Sequence, residues 1–431
     1  MPTGKIKKTF SGKRITKYSG LEPIFNYIRA IGIIKTIETI FPSKIYNATK
    51  HTNVQIFIAL ILSSLSNINR MSRIENFTSD ILVEKLLNLI NRIDANTIST
   101  RIKQLGQSGA IELQEGTFPV VRQWLEKSKL EELTMDMDST VSGVYGKQEG
   151  AAKGYNPIKK GQRSYHNLLC FASEMKLVLN SWFRDGSAYT SNGACEFMKQ
   201  TLAALPKSIK KVFVRCDSGF FDGKLFDLLE EKGHEYLVKV KLKNLHTLLK
   251  NQEWEVVDSK TSQTSFDYKC KGWNKSRTLK AVRIFEKYNY VEMFGEITEV
   301  PEYNYFCYCS NIEAISGVEL HQLYKKRGES ENWIEQAKNQ LLASKTLTQS
   351  FHANDILWQL SILAYNISVM MRYETNRKFW HQEHKTFREW FIELPGKVIE
   401  SGRQIKLKMY ENYYHKANWL EVDAKITLMT A

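Results

Sequence analysis

No two cysteines in this sequence stand at Cys-x-x-Cys spacing. The six, Cys170, Cys195, Cys216, Cys270, Cys307 and Cys309, are scattered. Neither a zinc site nor a disulfide framework is indicated, and free thiols in a reducing cytoplasm fit them better. The first twenty residues lack an apolar h-region, which excludes a secretory signal there. The most apolar run, DILWQLSILAYNISVMM, carries Asp355, Gln359 and Asn366. It reaches only the low end of a membrane span and reads as a buried core helix, so no membrane partner is expected. Internal repeats and low-complexity tracts are missing as well.

What is present in excess is positive charge. Lys and Arg number 61 against 46 Asp and Glu, a formal net charge of +15 on 431 residues. Such a surplus favours a polyanionic partner, because each cation near a phosphate releases counterions. With 42% hydrophobic and 12% aromatic residues, the chain can build two or three domains with real cores.

Six regions follow from the pattern. Residues 1–20 hold Lys5, Lys7, Lys8, Lys13, Arg14 and Lys17 and no acid, a basic arm. Residues 21–130 read as helical, a candidate DNA-binding domain. In it, Asp94 or Asn96 caps a short helix bearing Thr97, Ser99, Thr100, Arg101, Lys103 and Gln104. Short polar and basic side chains at a helix start are what a major-groove reader offers. An ordinary amphipathic helix is the alternative, since Ile98, Ile102 and Leu105 form an apolar stripe. Residues 131–242 alternate strands and helices: LTMDMDSTV, SYHNLLCFAS, KLVLNSWFRD, a helix, KKVFVRCD, a helix, HEYLVKVKL. The order βββαβαβ is that of a ribonuclease-H-like domain, in which strands one and four are neighbours. Residues 243–312 change to short strands, a β-rich insert. Residues 313–375 are helical and complete the core, and 376–431 form a C-terminal region with no assigned role. The fold class is therefore α/β: a ribonuclease-H-like core interrupted by a β-rich insert, with a helical N-terminal domain.

Three acids stand in contexts that suit metal ligation. Asp138 lies in the first strand, Asp217 closes the fourth, and Glu331 lies in a helical run. Strands one and four bring Asp138 and Asp217 together. Hard oxygen ligands of this kind suit Mg²⁺, and two such ions clamp an in-line phosphoryl displacement. Asp136 shares a strand face with Asp138, so either can be the first ligand. Tyr324, Arg327, Glu331 and Lys338, at offsets of 3, 7 and 14, fall within about 60° on one regular helix. Gly328 weakens its start.

The run Tyr-x2-Arg-x3-Glu-x6-Lys at Tyr324, Arg327, Glu331 and Lys338 resembles the helix signature of DDE transposases from bacterial insertion sequences. The blocks DMDSTVSGVYGKQEGAAKGYNP, SYHNLLCF and VRCDSGFF are similar to one subfamily of them, and the likeness covers roughly residues 130–370. It implies a metal-binding triad of Asp138, Asp217 and Glu331, with Asp138 favoured over Asp136 by the following Asp-x-Thr run. It further implies two Mg²⁺ ions, for which Mn²⁺ substitutes, and Tyr324, Arg327 and Lys338 on DNA phosphates. Double-stranded DNA is the implied partner, as terminal inverted repeats and target, bound by a homodimer in a bacterial, nucleoid-associated setting. The insert would support a hairpin intermediate with a base flipped onto an aromatic residue, for which Trp254 and Trp273 are candidates. His166 and Arg215 are second-tier site candidates. Competing functions are a metal-dependent nuclease of the same fold and a domesticated DNA-binding protein without catalysis.

Overall fold

The computed structural model describes residues 8–10, 14–42, 51–154, 156, 159–293, 296–402 and 404–430. Lys5, Lys7 and Lys13 of the arm and Tyr155 and Pro157 of the GYNP block lie outside them. The chain forms two compact units.

The first unit comprises residues 1–116, 338–348 and 352–431. Its N-terminal part is helical, with Asn53–Leu65 almost wholly buried. Thr52 starts that helix through a capping box: its hydroxyl accepts from Gln55 N–H at 3.1 Å, and Gln55 Oε1 accepts from Thr52 N–H at 2.8 Å. This satisfies two of the donors a helix start leaves open. The helix Ala95–Ser128 begins on Asp94, whose carboxylate accepts from Asn96 N–H at 2.7 Å. Gly106 breaks it, at φ 58 and ψ −152, and the break ends the segment that carries Thr97 to Lys103. Ile98 and Ile102 are fully buried beneath that segment. The apolar run noted above is the helix Phe351–Thr375, buried over most of its length. His384 joins it to the earlier helix, with one ring nitrogen on Ser368 Oγ at 2.9 Å and the other on the Leu65 carbonyl at 2.9 Å. Among the described residues no helix is long and apolar enough to cross a membrane.

The second unit comprises residues 117–337 and 349–351 and is built on one mixed sheet. Its strands are β1 (Glu132–Gly143), β2 (Arg163–Ala172), β3 (Leu177–Trp182), β4 (Lys211–Cys216), β5 (Glu235–Lys239), β6 (Thr261–Tyr268), β7 (Arg277–Met293) and β8 (Glu296–Ser310). Helices α1 (Ala194–Ala204) and α2 (Gly223–Glu231) connect β3 to β4 and β4 to β5. The order runs β3-β2-β1-β4-β5-β8-β7-β6. β1 is antiparallel to β2 and parallel to β4, and β4 is parallel to β5. The central strands are buried on both faces, as parallel strands flanked by crossover helices are. The insert strands do not form a separate sheet. β8 pairs antiparallel with β5, through Tyr308 opposite Lys239 and Ser310 opposite Leu237, and so extends the same sheet. β7 and β8 then run on as a two-stranded hairpin, because β6 pairs with β7 only as far as Ile284.

One expectation is corrected here. The four signature residues do not lie on one regular helix. Tyr324 is in α3 (Gly317–Lys325), Arg327 caps α4 (Gly328–Glu335), Glu331 is in its first turn, and Lys338 lies in a π-helical turn, Gln336–Gln340. Gly328 is a poor helix former. The chain there tightens to bonds three residues apart, Arg327 N–H to Tyr324 O at 3.0 Å and Ser330 N–H to Arg327 O at 2.9 Å. A tight turn followed by a wide one removes the 100° spacing on which a single face depends.

Candidate active site

The parallel register of β1 and β4 builds the site. Met137 stands opposite Cys216, so Asp138 and Asp217, the next residue of each chain, come level at the ends of neighbouring strands. Asp138 is buried, and its Oδ1 accepts from Ser139 N–H at 2.8 Å. Asp217 is half-buried and accepts from Gly219 N–H at 2.9 Å, which starts a short 3₁₀ turn, Ser218–Phe220. Gly219 is required there: a Cβ would come within 2.7 Å of Thr190 Cγ2 and 3.1 Å of the Asp217 carboxylate.

Burial pushes the Asp138 carboxyl up to about 6. Arg327 opposes the shift, while the negative charges of Asp217 and Glu331 add to it. Glu331, which is exposed, is the smallest of these influences on Asp138. Arg327 Nη2 lies 2.6 Å from Asp138 Oδ2. The pair is electrostatic, since neither Nε nor Nη2 makes an aligned hydrogen bond. Burial works against the Arg327 charge, yet Asp138, Tyr324 and Asp217 hold the guanidinium more firmly protonated than usual. Tyr324 leans on Tyr308, ring centroids 5.0 Å apart, and burial pushes its hydroxyl up to about 12.

Asp136 has a different fate. It is fully buried and spent on Arg215: Nε donates to Oδ1 and Nη2 to Oδ2, each at 2.8 Å. Ser173 Oγ also donates to Oδ2. The remaining arm of Arg215, Nη1, donates to the Leu323 carbonyl at 3.0 Å. Asp136 and Arg215 thus form an ion pair one pleat below Asp138 and Asp217 on the same face of the sheet. They tie α3, just before Tyr324, to the sheet floor.

His166 is buried and its ring is fixed, Nδ1 on the Ala188 carbonyl at 2.6 Å and Nε2 facing Thr190 Oγ1 at 3.5 Å. Burial pushes its pKa down, and Asp217 pulls the other way. Thr190 Oγ1 continues to Ser139 Oγ at 3.3 Å. Ser139 and Thr190 line the acids without having been singled out. Ser139 was legible only as the neighbour of Asp138, and Thr190 lies in a loop that gave no signal.

The remaining candidates divide. Trp254 lines a cavity of about 860 Å³ together with Gln263, Lys280 and Gly317, under the Arg283 guanidinium at 4.8 Å. Trp273 packs on Phe221 and Phe226 below Arg277 and belongs to the junction of α2 and the insert. Lys338 falls in the first unit, where its carbonyl accepts from Ser344 Oγ at 2.9 Å. Thr97, Ser99, Arg101 and Lys103 are in the first unit too. Lys103 is exposed, and Arg101 donates to Asn53 Oδ1 at 2.5 Å.

Among the described residues no three His, Cys, Asp or Glu side chains stand close enough to hold one ion. The donor set nevertheless suits a hard divalent cation. Its members are carboxylates, and Asp138 already holds a cationic group in Arg327.

Two acids thus stand level at the ends of neighbouring parallel strands, and Arg327, from the helical segment that also carries the exposed Glu331, pairs with one of them. The family model described as Transposase DDE domain group 1 matches residues 2–431. The chain belongs to that family and is a transposase. No match was found among curated proteins. Among solved structures, the chain is similar to the piggyBac transposase synaptic complex with hairpin DNA, at 15% identity and a TM-score of 0.45, over 88% of this chain and 81% of that one. It is more distantly similar to the pre-cleavage Mos1 transpososome, at 9% identity and a TM-score of 0.18, over 54% and 62% of the two chains.

Proposed function

We propose that this transposase performs cut-and-paste transposition of a bacterial insertion sequence, cleaving and joining DNA at terminal inverted repeats as a DNA-bound homodimer. The observation that carries the reading is the level placement of Asp138 and Asp217 on parallel β1 and β4, with Glu331 contributing to the electrostatics of Asp138. Asp138, Asp217 and Glu331 would hold two Mg²⁺ ions, with Mn²⁺ as a substitute. When bound, the ions supply an activated water or 3′-hydroxyl and stabilise the leaving oxygen. Arg327 neutralises Asp138 before the site is loaded and turns its planar fork to a DNA phosphate afterwards. Tyr324 contributes a hydroxyl to that backbone, and Lys338, in the first unit, contributes a point charge to bound DNA. Asp136 and Arg215 keep α3 on the sheet throughout. No side chain forms a covalent bond to DNA, so no nucleophilic Ser or Tyr is needed. Residues 131–242 and 313–375 serve as the ribonuclease-H-like core. Residues 21–130 serve as the end-reading domain, with Thr97, Ser99, Arg101 and Lys103 toward the duplex.

The test uses duplexes carrying the inverted repeats that flank the coding region. Asp217→Ala and Glu331→Ala should abolish Mg²⁺-dependent cleavage and leave end binding in place. Cleavage retained by both variants overturns the assignment. Strand transfer from pre-cleaved ends separates a transposase from a nuclease that only cuts.

A further inference from the structure

β1 does not end at the acids. It continues from Asp138 to Gly143, about 17 Å at the rise of an antiparallel strand, and leads into a loop that returns as β2. The segment Val144–Arg163 carries Lys147, Lys153, Lys159, Lys160 and Arg163 against one acid, Glu149. All five cations are exposed. The ion pairs of the described residues involve none of them. The acid is already spent: Glu149 Oε2 accepts from Phe351 N–H at 3.0 Å.

Two features go beyond a charged surface. First, the strand Ala152–Lys153 pairs with the start of β2, and the register sets Lys153 directly opposite Arg163. Like charges facing each other across a ladder weaken it, and an anion bound between them would offset that. Second, Glu149–Ala151 and Arg163 are held by hydrogen bonds. Glu149 N–H donates to the Gln349 carbonyl at 3.0 Å and Gly186 N–H to the Gly150 carbonyl at 2.9 Å. The Glu149 carbonyl accepts from Tyr165 Oη at 2.7 Å, and the Ala151 carbonyl from Arg163 Nη1 at 2.9 Å. Exposed Tyr145 lies under Lys159 Nζ at 5.7 Å. Part of the ordering cost is thereby met before a ligand arrives.

We propose that the five cations of this segment, all among the described residues, form a clamp for the duplex DNA backbone on one side of the scissile bond. Lys153 and Arg163 grip one phosphate run, with Lys147, Lys159 and Lys160 beside them. The rise of one DNA strand is about 3.4 Å per phosphate. DNA laid along β1 from Asp138 therefore reaches the Lys153–Arg163 pair about five phosphates from the cut. The proposal rests on the transposase reading of the site.

The test is the salt dependence of DNA binding by the full chain, measured by fluorescence anisotropy. The probe is an end duplex extended ten base pairs past the cleavage position, with a second probe truncated at that position. The variant is the triple Lys153→Gln, Lys159→Gln, Lys160→Gln, which leaves Arg163 in place because it also holds the Ala151 carbonyl. Each phosphate contact removed lowers the slope of log K against log salt by about 0.9. The expected loss is therefore about 2.7 in slope, on the extended probe alone if the clamped side is the one truncated away and on both probes otherwise. The urea midpoint should be equal to or above that of the unaltered chain, because the Lys153–Arg163 opposition is gone. An unchanged slope on both probes, or a lost slope together with a lower urea midpoint, overturns the clamp and leaves the transposase reading standing. Absence of DNA binding by the unaltered chain overturns both.

Discussion

Asp136 and Asp138 occupy the same face of one strand two residues apart, and their replacement should have opposite consequences. Asp136→Ala removes three hydrogen bonds to one fully buried carboxylate and leaves Arg215, itself buried, without a counter-ion. Breaking a buried ion pair by deleting one partner costs about 3–5 kcal/mol. Against a total stability of about 5–15 kcal/mol this is a large share. With a urea slope of about 3 kcal/mol per molar, the unfolding midpoint falls by about 1–1.7 M. Circular dichroism during urea titration measures it. The double variant Asp136→Leu with Arg215→Met should recover most of that loss, because replacing both charges with packed apolar groups is near neutral. Asp138→Asn should keep its fold and lose cleavage. A midpoint for Asp136→Ala within about 0.3 M of the unaltered chain (about 1 kcal/mol at that slope), together with lost cleavage, refutes the structural role assigned to Asp136.

Three further outcomes are expected. The folded-state pKa of Asp138, about 6, is above its ordinary value of 3.8, so the native state holds that proton more tightly than the unfolded chain does. The resulting stabilisation is complete below pH 3.8 and is lost as pH rises through about 6; it is on the order of 3 kcal/mol. Asp138→Asn should therefore gain in urea midpoint over the unaltered chain between pH 4 and pH 7, and a flat difference would contradict the shift. Arg327→Gln should bind Mn²⁺ about tenfold more tightly in the absence of DNA, a gain of about 1.4 kcal/mol, by isothermal titration; weaker binding would mean that Arg327 helps to build the site. Gly150→Ala should lower thermal stability, since φ is +73 and the added Cβ would meet the Phe351 ring at 2.5 Å; strain of this kind costs about 1–3 kcal/mol, and an unchanged melting temperature would show that the ring gives way.

Much of the second unit's strand order was legible because alternation and turn residues mark its strands strongly. Once β1 and β4 are recognised as parallel neighbours, Asp138 and Asp217 must come together, and no side-chain detail is needed. Asp136 was different. A period of two puts both aspartates on one face, and only the partner distinguishes them. That partner, Arg215, is 79 residues away in sequence. The helical signature was legible as spacing but not as shape. Gly328 announced a weak point, whereas the following π-helical turn depends on packing that no local pattern records. The QEGA block carried no readable role until Glu149 and Gly150 were found bonded to residues around Phe351 and Gly186.

The hairpin of β7 and β8 has a consequence for how the protein stays dispersed. Beyond Ile284 its ladder has no third strand among the described residues, and it presents free edges together with exposed Tyr288, Tyr290, Val291 and Ile297. Bare edges of this kind template pairing between molecules. The hairpin carries the usual deterrents. A bulge between Phe285 and Lys287 bends the ladder. Pro301, opposite Tyr288, withholds one donor. Glu286, Lys287, Glu292 and Glu299 place exposed charge along the rest. An arm long enough to reach away from the sheet is in this way kept from recruiting copies of itself into a growing stack.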